Sequence, residues 1–452
     1  MTDDTGRGSD ADFGSGSGSD AETVPEAPAP TAGRDAAVAR DEADPLAELR
    51  GRFHVPEGQY MDGNSLGPLS TDAEASLDRA VEEWRELGIE GWTDADPDWF
   101  HYGERLGDRL APLLGARSDE VVATNSTTVN IHALVGTFLD ERDDDKGRTV
   151  LVNELDFPTD HYAIRAQLSA RGLDPEEHLV VVESRDGRTV EETDVIDALA
   201  DHDVGVLFMP SVLYRSGQLF DIERLTEAAH DHGAVAGFDL AHSVGAVPHD
   251  LDAAGVDFAV WCSYKYLNAG PGAVGGLYVN ERHFDATPAL AGWWGNDKGT
   301  QFDLAPEFDP APGAGAYQVG TVHVLSAAPL FGALDTLDDA GIDRVREKSV
   351  ALTDYLIRLV DEHLPECDVG TPREASRRGG HVAVEHPDAY RLSLALKARD
   401  VVVDYRPPNV VRIAPAPLYV SFADVWDVVE TLRAILDEGA HEAFDEAGEG
   451  VT

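Results

Sequence analysis

Short apolar runs separated by helix-like stretches follow one another from about residue 120, and this alternation constrains the fold more than any other feature. The segment DIERLTEAAHDHG (221–233) is typical of the intervening stretches, with Gly233 as a helix stop. Strands that alternate with helices build a mostly parallel sheet covered by helices on both faces. The sequence therefore predicts an α/β fold with buried strands at VVAT (121–124), TVLVNE (149–154), HLVVVES (178–184), VGVLFMP (204–210), AVAGFDL (234–240) and DFAVWCS (257–263).

The pattern changes after about residue 330, which indicates a second, smaller domain. A long helical stretch over roughly 333–363 precedes HVAVEH, a helix, VVVDYR, VVRIAP and a last helix, and these predict an α+β domain. Residues 1–45 are mostly Gly, Ser, Asp, Ala and Pro, so we expect them to be disordered. The predicted organisation is a disordered acidic tail (1–45), an N-terminal segment packing with the small domain (46–90), a large domain (91–330), a small C-terminal domain (331–440) and a disordered tail (441–452).

Acidic residues dominate the charge of the chain. Its 85 Asp and Glu outnumber its 35 Lys and Arg, giving a formal net charge of −50, and the acids are spread over every segment. Nucleic-acid binding needs clustered cations, so the composition argues against such a partner. Two explanations remain: a basic partner, or work in concentrated salt, where screening makes self-repulsion tolerable. The dispersed acids and the use of arginine in place of lysine favour the second explanation and resemble proteins of halophilic archaea.

Several absences in the sequence favour a cytoplasmic protein. No stretch of about 18 apolar residues predicts a membrane span. The N-terminus shows no basic region followed by an apolar one, so we expect no secretory signal. Cys262 and Cys367 are the only cysteines, too few for a disulfide framework or a four-ligand zinc site. We expect no bound metal.

Polar residues follow three of the predicted strands, where ligands bind in such sheets. Asp239 and His242 follow AVAGF, Lys265 follows DFAVWCS in a chain with five lysines, and TNSTTVN (124–130) opens a helix. A lysine amine can form a Schiff base with pyridoxal phosphate, while a carboxylate keeps the pyridine nitrogen protonated and donors at a helix start hold the phosphate. The residues that fit the phosphate are Thr127, Thr128 and Tyr264.

Each of these residues has a simpler explanation when it is taken alone. A lone lysine is typically a solvated surface charge, Asp239 is typical of a turn or cap, and TNSTT of a helix N-cap. Asp239 and His242, three residues apart, also suggest a metal pair, but a third ligand at helical spacing is missing. The spacing of these residues leaves the alternatives open.

Longer motifs extend over about residues 53 to 430. They are YMDGNSLGPLS (60–70), ELDFPTDHYAI (154–164), FDLAHSVGAVPHDL and GVDFAVWCSYKYLNAGPGAVGGLYV (within 238–279), PALAGWWG (288–295) and NVVRIAPAPLYVSFADV (409–425). Together they resemble the kynureninases, a family of fold-type I pyridoxal phosphate enzymes related to class V aminotransferases. WCSYKYLNAG and FPTDHYAI are highly specific, whereas a lysine-bearing strand alone fits many aminotransferase-like enzymes.

The resemblance implies a fold, an activity and an assembly. The fold is the fold-type I α/β architecture, with a large domain that binds pyridoxal 5'-phosphate and a smaller α+β C-terminal domain. The activity is hydrolysis of L-kynurenine or 3-hydroxykynurenine to anthranilate or 3-hydroxyanthranilate and L-alanine, in tryptophan catabolism. The assembly is a homodimer with its active site at the subunit interface.

The resemblance also implies roles for individual residues. Lys265 bonds to the cofactor and moves the Cα proton, and Tyr264 helps to deliver the proton that completes alanine. Asp239 pairs with the pyridine nitrogen, and Arg412 binds the substrate α-carboxylate through a two-pronged charge-assisted contact. The implied cofactor contacts are Thr127, Thr128, Phe157, Asp160, Asp239, His242, Tyr264, Lys265, Thr321 and, from the second subunit, Trp293. The implied substrate contacts are Arg412, Trp92, Asn64 and Ser65.

The chain departs from the animal members of the family at positions that select the hydroxylated substrate. Trp92, Gly320 and Thr321 stand where those members carry a histidine and an asparagine, which resembles the bacterial pattern and favours kynurenine itself. Pro210 stands where a serine is often found, which removes one cofactor contact.

Three alternatives compete with this assignment. A class V aminotransferase shares the fold and the lysine. A cysteine desulfurase needs a nucleophilic cysteine on a mobile loop, but Cys262 lies in a predicted strand and Cys367 follows a helix. A non-catalytic scaffold of the same fold has no need of Lys265, Asp239 and Arg412 together.

Overall fold

The computed structural model describes residues 33–141 and 147–445. The strands within these ranges are β1 (Gln59–Tyr60), β2 (Val121–Ala123), β3 (Thr149–Asn153), β4 (Leu179–Val182), β5 (Val204–Pro210), β6 (Val235–Asp239), β7 (Phe258–Cys262), β8 (Gly275–Val279), β9 (Asp368–Val369), β10 (Val382–Glu385), β11 (Val401–Val402), β12 (Asp404–Arg406) and β13 (Val410–Ile413). The α-helices are α1 (Arg34–Glu42), α2 (Thr71–Leu87), α3 (Gly91–Asp94), α4 (Tyr102–Leu114), α5 (Thr127–Asp140), α6 (Pro158–Ala170), α7 (Pro175–His178), α8 (Glu192–Asp201), α9 (Ile222–Asp231), α10 (Val324–Ala340), α11 (Ile342–His363), α12 (Ala389–Lys397) and α13 (Phe422–Glu438).

A seven-stranded sheet in the order β2-β8-β7-β6-β5-β3-β4 forms the centre of the molecule. Every neighbouring pair from β7 to β4 runs parallel, and β8 lies antiparallel to both β2 and β7. All of β5 and β7 is buried, as expected for strands covered by helices on both faces. The predicted α/β fold and its six strands are confirmed.

Strand β8 is absent from the sequence-based prediction, because two glycines interrupt its apolar run. Gly275 and Gly276 begin the strand, and glycine weakens strand propensity. The indole ring of Trp261 occupies the space beside Gly276, where an added Cβ atom would lie 2.3 Å from ring carbon Cε2. The same glycines that hide the strand from sequence analysis therefore make room for the neighbouring tryptophan.

A second sheet of four antiparallel strands lies in the C-terminal part of the chain. Its strand order is β12-β13-β10-β9, and the helices α11, α12 and α13 lie in the same part of the sequence. The predicted helix over 333–363 is wrong in detail, because α10 ends at Ala340 and α11 begins at Ile342. Gly341 separates the two helices with a φ of 75°, a left-handed conformation that glycine adopts easily.

The N-terminal region is joined to the C-terminal region by a short parallel pairing of β1 with β11. The prediction that residues 1–45 are disordered is wrong for 33–45, where α1 buries Ala37. Arg40 lies over the ring of Phe422 at 4.3 Å, and Asp41 accepts hydrogen bonds from the first backbone N–H groups of α13. The helix depends on these contacts with a distant partner, which its composition does not reveal; residues 1–32 lie outside the described ranges.

The C-terminal prediction is also partly wrong. The sequence predicts a disordered tail over 441–452, but residues 440–443 form a 3₁₀ turn in which His441 is buried. Residues 446–452 lie outside the described ranges. None of the helices that the structure describes combines the length and the apolar character needed to cross a membrane.

Helices α2 and α10 approach closely at Gly332. A Cβ atom added there would lie 1.9 Å from the carbonyl oxygen of Asp72, which is backbone and cannot rotate away. We expect Gly332→Ala to lower the free energy of unfolding by about 1–3 kcal/mol through overpacking. Thermal unfolding measures the effect, with Gly51→Ala as the control because its Cβ would meet nothing within 4 Å. Equal midpoints for the two variants would contradict the close approach.

Candidate active site

The carboxyl ends of the central strands bring the candidate catalytic residues to one edge of the sheet. Pro210 at the end of β5 pairs with Asp239 at the end of β6, and Asp239 pairs with Val260 of β7. Lys265 lies three residues beyond the end of β7. Burial raises the pKa of Asp239, and the positive charge of Lys265 opposes that rise.

His242 lies directly beside the lysine. Its Nε2 atom is 2.9 Å from Nζ of Lys265, and the imidazole is buried. Burial, together with the charges of Lys265 and Arg412, holds the pKa of His242 well below its usual range. The imidazole is therefore neutral and can accept a hydrogen bond from the lysine.

Three buried carboxyl groups surround this edge of the sheet. Asp156 precedes α6 and Asp160 lies in the first turn of that helix, and burial raises the pKa of each well above its usual range, with Asp239 adding repulsion. Asp156 accepts hydrogen bonds from the backbone and side chain of Asn153. Within the described part of the chain, both carboxyl oxygens of Asp160 lack a hydrogen-bond partner. Both oxygens of Asp160 are thus available to form hydrogen bonds with a bound molecule.

The start of α5 supplies the residues predicted to bind phosphate. Thr127 is the first residue of the helix, where backbone N–H groups have no partner within the helix. Thr128 shares a hydrogen bond of 2.9 Å with Thr159. Burial raises the pKa of Tyr264, which keeps its hydroxyl protonated.

A large apolar cavity opens beside these residues. Its volume is about 1100 Å³, and its walls include Ser126, Tyr264, Thr321 and Trp92. Trp92 packs against Trp294 with ring centroids 5.3 Å apart. The structure therefore brings the predicted substrate contact Trp92 and the predicted cofactor contact Thr321 to one cavity.

Arg412 occupies a buried position on β13 that three other segments reach. It donates a hydrogen bond of 2.6 Å to the carbonyl oxygen of Tyr214 and one of 2.9 Å to the hydroxyl of Ser65. Its guanidinium also forms a salt bridge with Asp404. The Asn64 amide is satisfied in the orientation that places its oxygen 2.7 Å from Nε of Arg412. The predicted substrate residues Asn64, Ser65 and Arg412 therefore meet.

Two predicted aromatic contacts have different positions. Phe157 lines a narrow cleft together with Asp160, Asp239 and His242, and it packs edge-on against Tyr214 at 5.3 Å between centroids. Trp293 is 44% exposed, packs edge-on against Phe302 and lines a separate surface cavity. Within this chain, Trp293 does not join the residues around Lys265.

Sequence reasoning misses four residues at the site: Asp156, Tyr214, His381 and Asp404. Asp156 stands inside the ELDFPTD motif, but Tyr214 acts through its backbone carbonyl, which no side-chain pattern reveals. His381 precedes β10, and its ring centroid lies 5.6 Å from that of His242. Burial and the charge of Arg412 lower the pKa of His381. Only the folded sheets bring these residues together.

The residues at this edge fit pyridoxal phosphate. A buried carboxyl at Asp239 and an amine at Lys265 suit the ring nitrogen and the aldehyde, and the start of α5 suits the phosphate. Among the buried polar atoms that lack a partner within the described residues, both oxygens of Asp160 and Nδ1 of His242 lie at this edge and are consistent with contacts that a bound ring completes. Among the described residues no group of three His, Cys, Asp or Glu side chains is arranged to hold a metal ion.

Comparison with known proteins agrees with this chemistry. The model of the kynureninase C-terminal domain matches residues 345–432. The kynureninase of Geobacillus thermodenitrificans is 48% identical over 414 residues, covering 91% of this chain and 96% of that protein. A kynureninase of Bacillus cereus is 49% identical over 416 residues, with the same coverage.

Solved structures show the same fold at low sequence identity. A cysteine desulfurase from Thermococcus onnurineus superposes with a TM-score of 0.74 at 18% identity, covering 86% of this chain and 98% of that one. A cysteine desulfurase from Escherichia coli gives a TM-score of 0.73 at 17% identity, covering 87% and 98%. These structures establish the fold-type I architecture, and the identity to the Geobacillus and Bacillus proteins establishes more: this chain belongs to the kynureninase family.

Proposed function

We propose that this chain is a kynureninase that uses pyridoxal phosphate and water to cleave L-kynurenine into anthranilate and L-alanine. The observation that carries the proposal is the Lys265 amine, which lies 2.9 Å from Nε2 of the buried His242, whose pKa is held well below its usual range. The positive charge of the amine also opposes the rise in the pKa of Asp239. The family membership adds the substrate. Trp92, Gly320 and Thr321 in the cavity wall, in place of the histidine and asparagine of animal members, favour kynurenine over its hydroxylated form.

Lys265 and Asp239 have different roles in the proposed cofactor site. When bound, the cofactor supplies an aldehyde that condenses with amines and a ring that withdraws electrons from Cα. Lys265 would be the amine that bonds to it, and the same amine, when free, would move the proton at Cα of the substrate. Asp239 holds a proton at the pyridine nitrogen, and its raised pKa suits a shared proton. His242 and Phe157 would hold the ring and Asp160 would hydrogen-bond it, since all three line the same narrow cleft.

Tyr264 and the first residues of α5 have roles in binding the phosphate, and Tyr264 also has a role in proton transfer. Thr127, Thr128 and Tyr264 bind the phosphate. Because burial raises the pKa of Tyr264, its hydroxyl stays protonated and serves as the donor that completes alanine after C–C cleavage.

The substrate carboxylate binds at Arg412. The guanidinium is buried, and Asn64 and Ser65 contact it, so an anion that reaches it is held away from bulk water. The aromatic part of the substrate extends toward Trp92. In the proposed division of the chain, Asn64 and Ser65 belong to the segment 46–90, Lys265 to the large domain 91–330 and Arg412 to the small domain 331–440.

The cysteine environments argue against a desulfurase. Cys262 is buried in β7, and burial raises the pKa of its thiol. Burial also raises the pKa of Cys367 to about 12. Both thiols are therefore protonated at neutral pH, and a protonated thiol is a poor nucleophile. An aminotransferase is distinguished by its product, since it releases no anthranilate.

A homodimer with shared sites is part of the proposal. Trp293 lies outside the narrow cleft that Phe157, Asp160, Asp239 and His242 line in its own chain, which suits a contact to the phosphate of a second subunit. Large apolar side chains remain exposed in the described chain, as at interfaces between subunits. They include Trp84, Ile89, Trp293, Phe302, Leu304 and Leu325.

Concentrated salt and the cytoplasm are the proposed working environment. The formal net charge of −50 supports adaptation to salt, because screening lowers the self-repulsion of the folded chain. The same charge is typical of proteins from halophilic archaea.

We expect Lys265→Ala to lower kcat by about 100- to 10,000-fold or more, because it removes the group that moves the Cα proton. The variant also loses the yellow absorbance of the covalently bound cofactor. Anthranilate fluorescence measures the rate, and Lys397→Ala, an exposed lysine at the end of α12, is the matched control. A Lys265→Ala protein that stays yellow and active would contradict the assignment.

Shared sites predict complementation between two inactive variants. Lys265→Ala and Trp293→Ala chains are each impaired as homodimers, but a mixed dimer contains one site with both native residues. Random exchange of subunits then restores about a quarter of the native activity, since half of the dimers are mixed and half of their sites are intact. If light scattering shows dimers that exchange while activity stays at the average of the two unmixed variants, the placement of Trp293 in the partner site is wrong.

Salt adaptation predicts a thermal midpoint that rises with ionic strength. Raising KCl from about 0.1 M to about 1 M shortens the screening length from about 10 Å to about 3 Å, which weakens repulsion between the acids. Calorimetry of the protein at several KCl concentrations measures the shift. A midpoint that is constant or falls over this range would refute the proposal.

A further inference from the structure

We propose that Asp404 competes with the substrate carboxylate for Arg412 and thereby weakens carboxylate binding. This inference rests on the proposed role of Arg412. Asp404 acts as an internal counter-ion. It forms an ion pair with the Arg412 guanidinium when no substrate is bound, and the pair forms again when product leaves.

The contacts of Asp404 place it at the centre of a buried charge cluster. Its Oδ2 atom accepts from Arg412, from Nε of Arg406 at 2.9 Å and from the hydroxyl of Ser65 at 3.2 Å. Asp404 is completely buried, and Arg412 is 1% exposed. A single carboxylate oxygen thus accepts hydrogen bonds from two arginines and a hydroxyl, and the side chain that carries it is shielded from solvent.

The other oxygen of Asp404 is left unsatisfied. Within the described residues, Oδ1 is buried and has no hydrogen-bond partner. Buried carboxylates usually use both oxygens, and an unpaired one raises the cost of burial. The side chain is therefore held by its ion pairs and not by a complete hydrogen-bond shell.

The charges in this cluster balance without a ligand. Arg406 and Arg412 carry two positive charges, and Asp62 and Asp404 carry two negative charges when both are ionised. Burial, together with the charge of Asp404, raises the pKa of Asp62 to about 6, so Asp62 is ionised above that pH. The histidines that these arginines face, His242 and His381, are kept neutral by burial. An arriving carboxylate therefore adds an uncompensated negative charge.

Arg412 does not depend on Asp404 for its orientation. The Tyr214 carbonyl, the Ser65 hydroxyl and the Asn64 amide oxygen hold Nη1, Nη2 and Nε of the guanidinium. Replacing Asp404 with asparagine keeps the shape of the side chain and removes its charge. The cluster then carries one net positive charge, which a bound carboxylate neutralises.

The test measures the affinity of the holoenzyme for L-alanine and for ethylamine, which is alanine without its carboxylate. We expect Asp404→Asn to lower the Kd of L-alanine by at least about 5-fold and to leave that of ethylamine within about twofold. Arg406→Gln has the opposite effect on L-alanine, because Asp404 then pairs with Arg412 alone. Asp361→Asn, which breaks an exposed pair with Arg373, is the matched control.

Thermal unfolding gives a second readout if Asp404→Asn is unstable. Breaking a buried ion pair lowers the midpoint, and saturating L-alanine raises it more in this variant than in the native protein. Unchanged or weaker binding of L-alanine by Asp404→Asn, with Arg406→Gln also unchanged, would overturn the competition. If Arg412→Gln binds L-alanine as the native protein does, the carboxylate site itself is misassigned, which is a separate failure.

Discussion

The site depends on the balance between buried carboxyl groups and the Lys265 amine at the carboxyl ends of the central strands. Asp239, Asp156 and Asp160 are all buried, and burial raises the pKa of each. Carboxylates lose hydration when they are buried and are retained only where a cation or hydrogen bonds compensate. Lys265 supplies the cation, and His242 accepts a hydrogen bond from it without adding a competing charge. A parallel sheet whose strands end at one edge makes this arrangement possible.

The second half of the site depends on segments that are far apart in the chain. Asn64 and Ser65 come from the N-terminal region, Tyr214 from the loop after β5, and Asp404 and Arg412 from the antiparallel sheet. The pairing of β1 with β11 brings the first of these regions to the last. The two halves meet at His242, whose pKa both Lys265 and Arg412 lower. The residues predicted to hold the cofactor and those predicted to bind the carboxylate thus form one connected set of side chains.

Sequence patterns predict the parts of the molecule that depend on local periodicity and on motifs. The six buried strands follow from their apolar runs, and the position of Lys265 and Asp239 near the edge of the sheet follows from the strands that end just before or at them, whereas their roles are implied by the longer motifs. Helix α1 and strand β8 escape such patterns, because one is stabilised by α13 and the other is masked by glycines that accommodate Trp261. Asp404 carries no local signal, since its importance comes from pairing across β12 and β13.

Borohydride reduction of the holoenzyme, followed by peptide mapping, tests the central claim most directly. Reduction fixes the cofactor to the amine that holds it, so the mass of a pyridoxyl group should appear on the peptide containing Lys265. Prior displacement with excess L-alanine should prevent that labelling. A label on another lysine, or a protein that takes up the cofactor and yields no labelled peptide, would contradict the assignment of Lys265 as the amine that bonds to the cofactor.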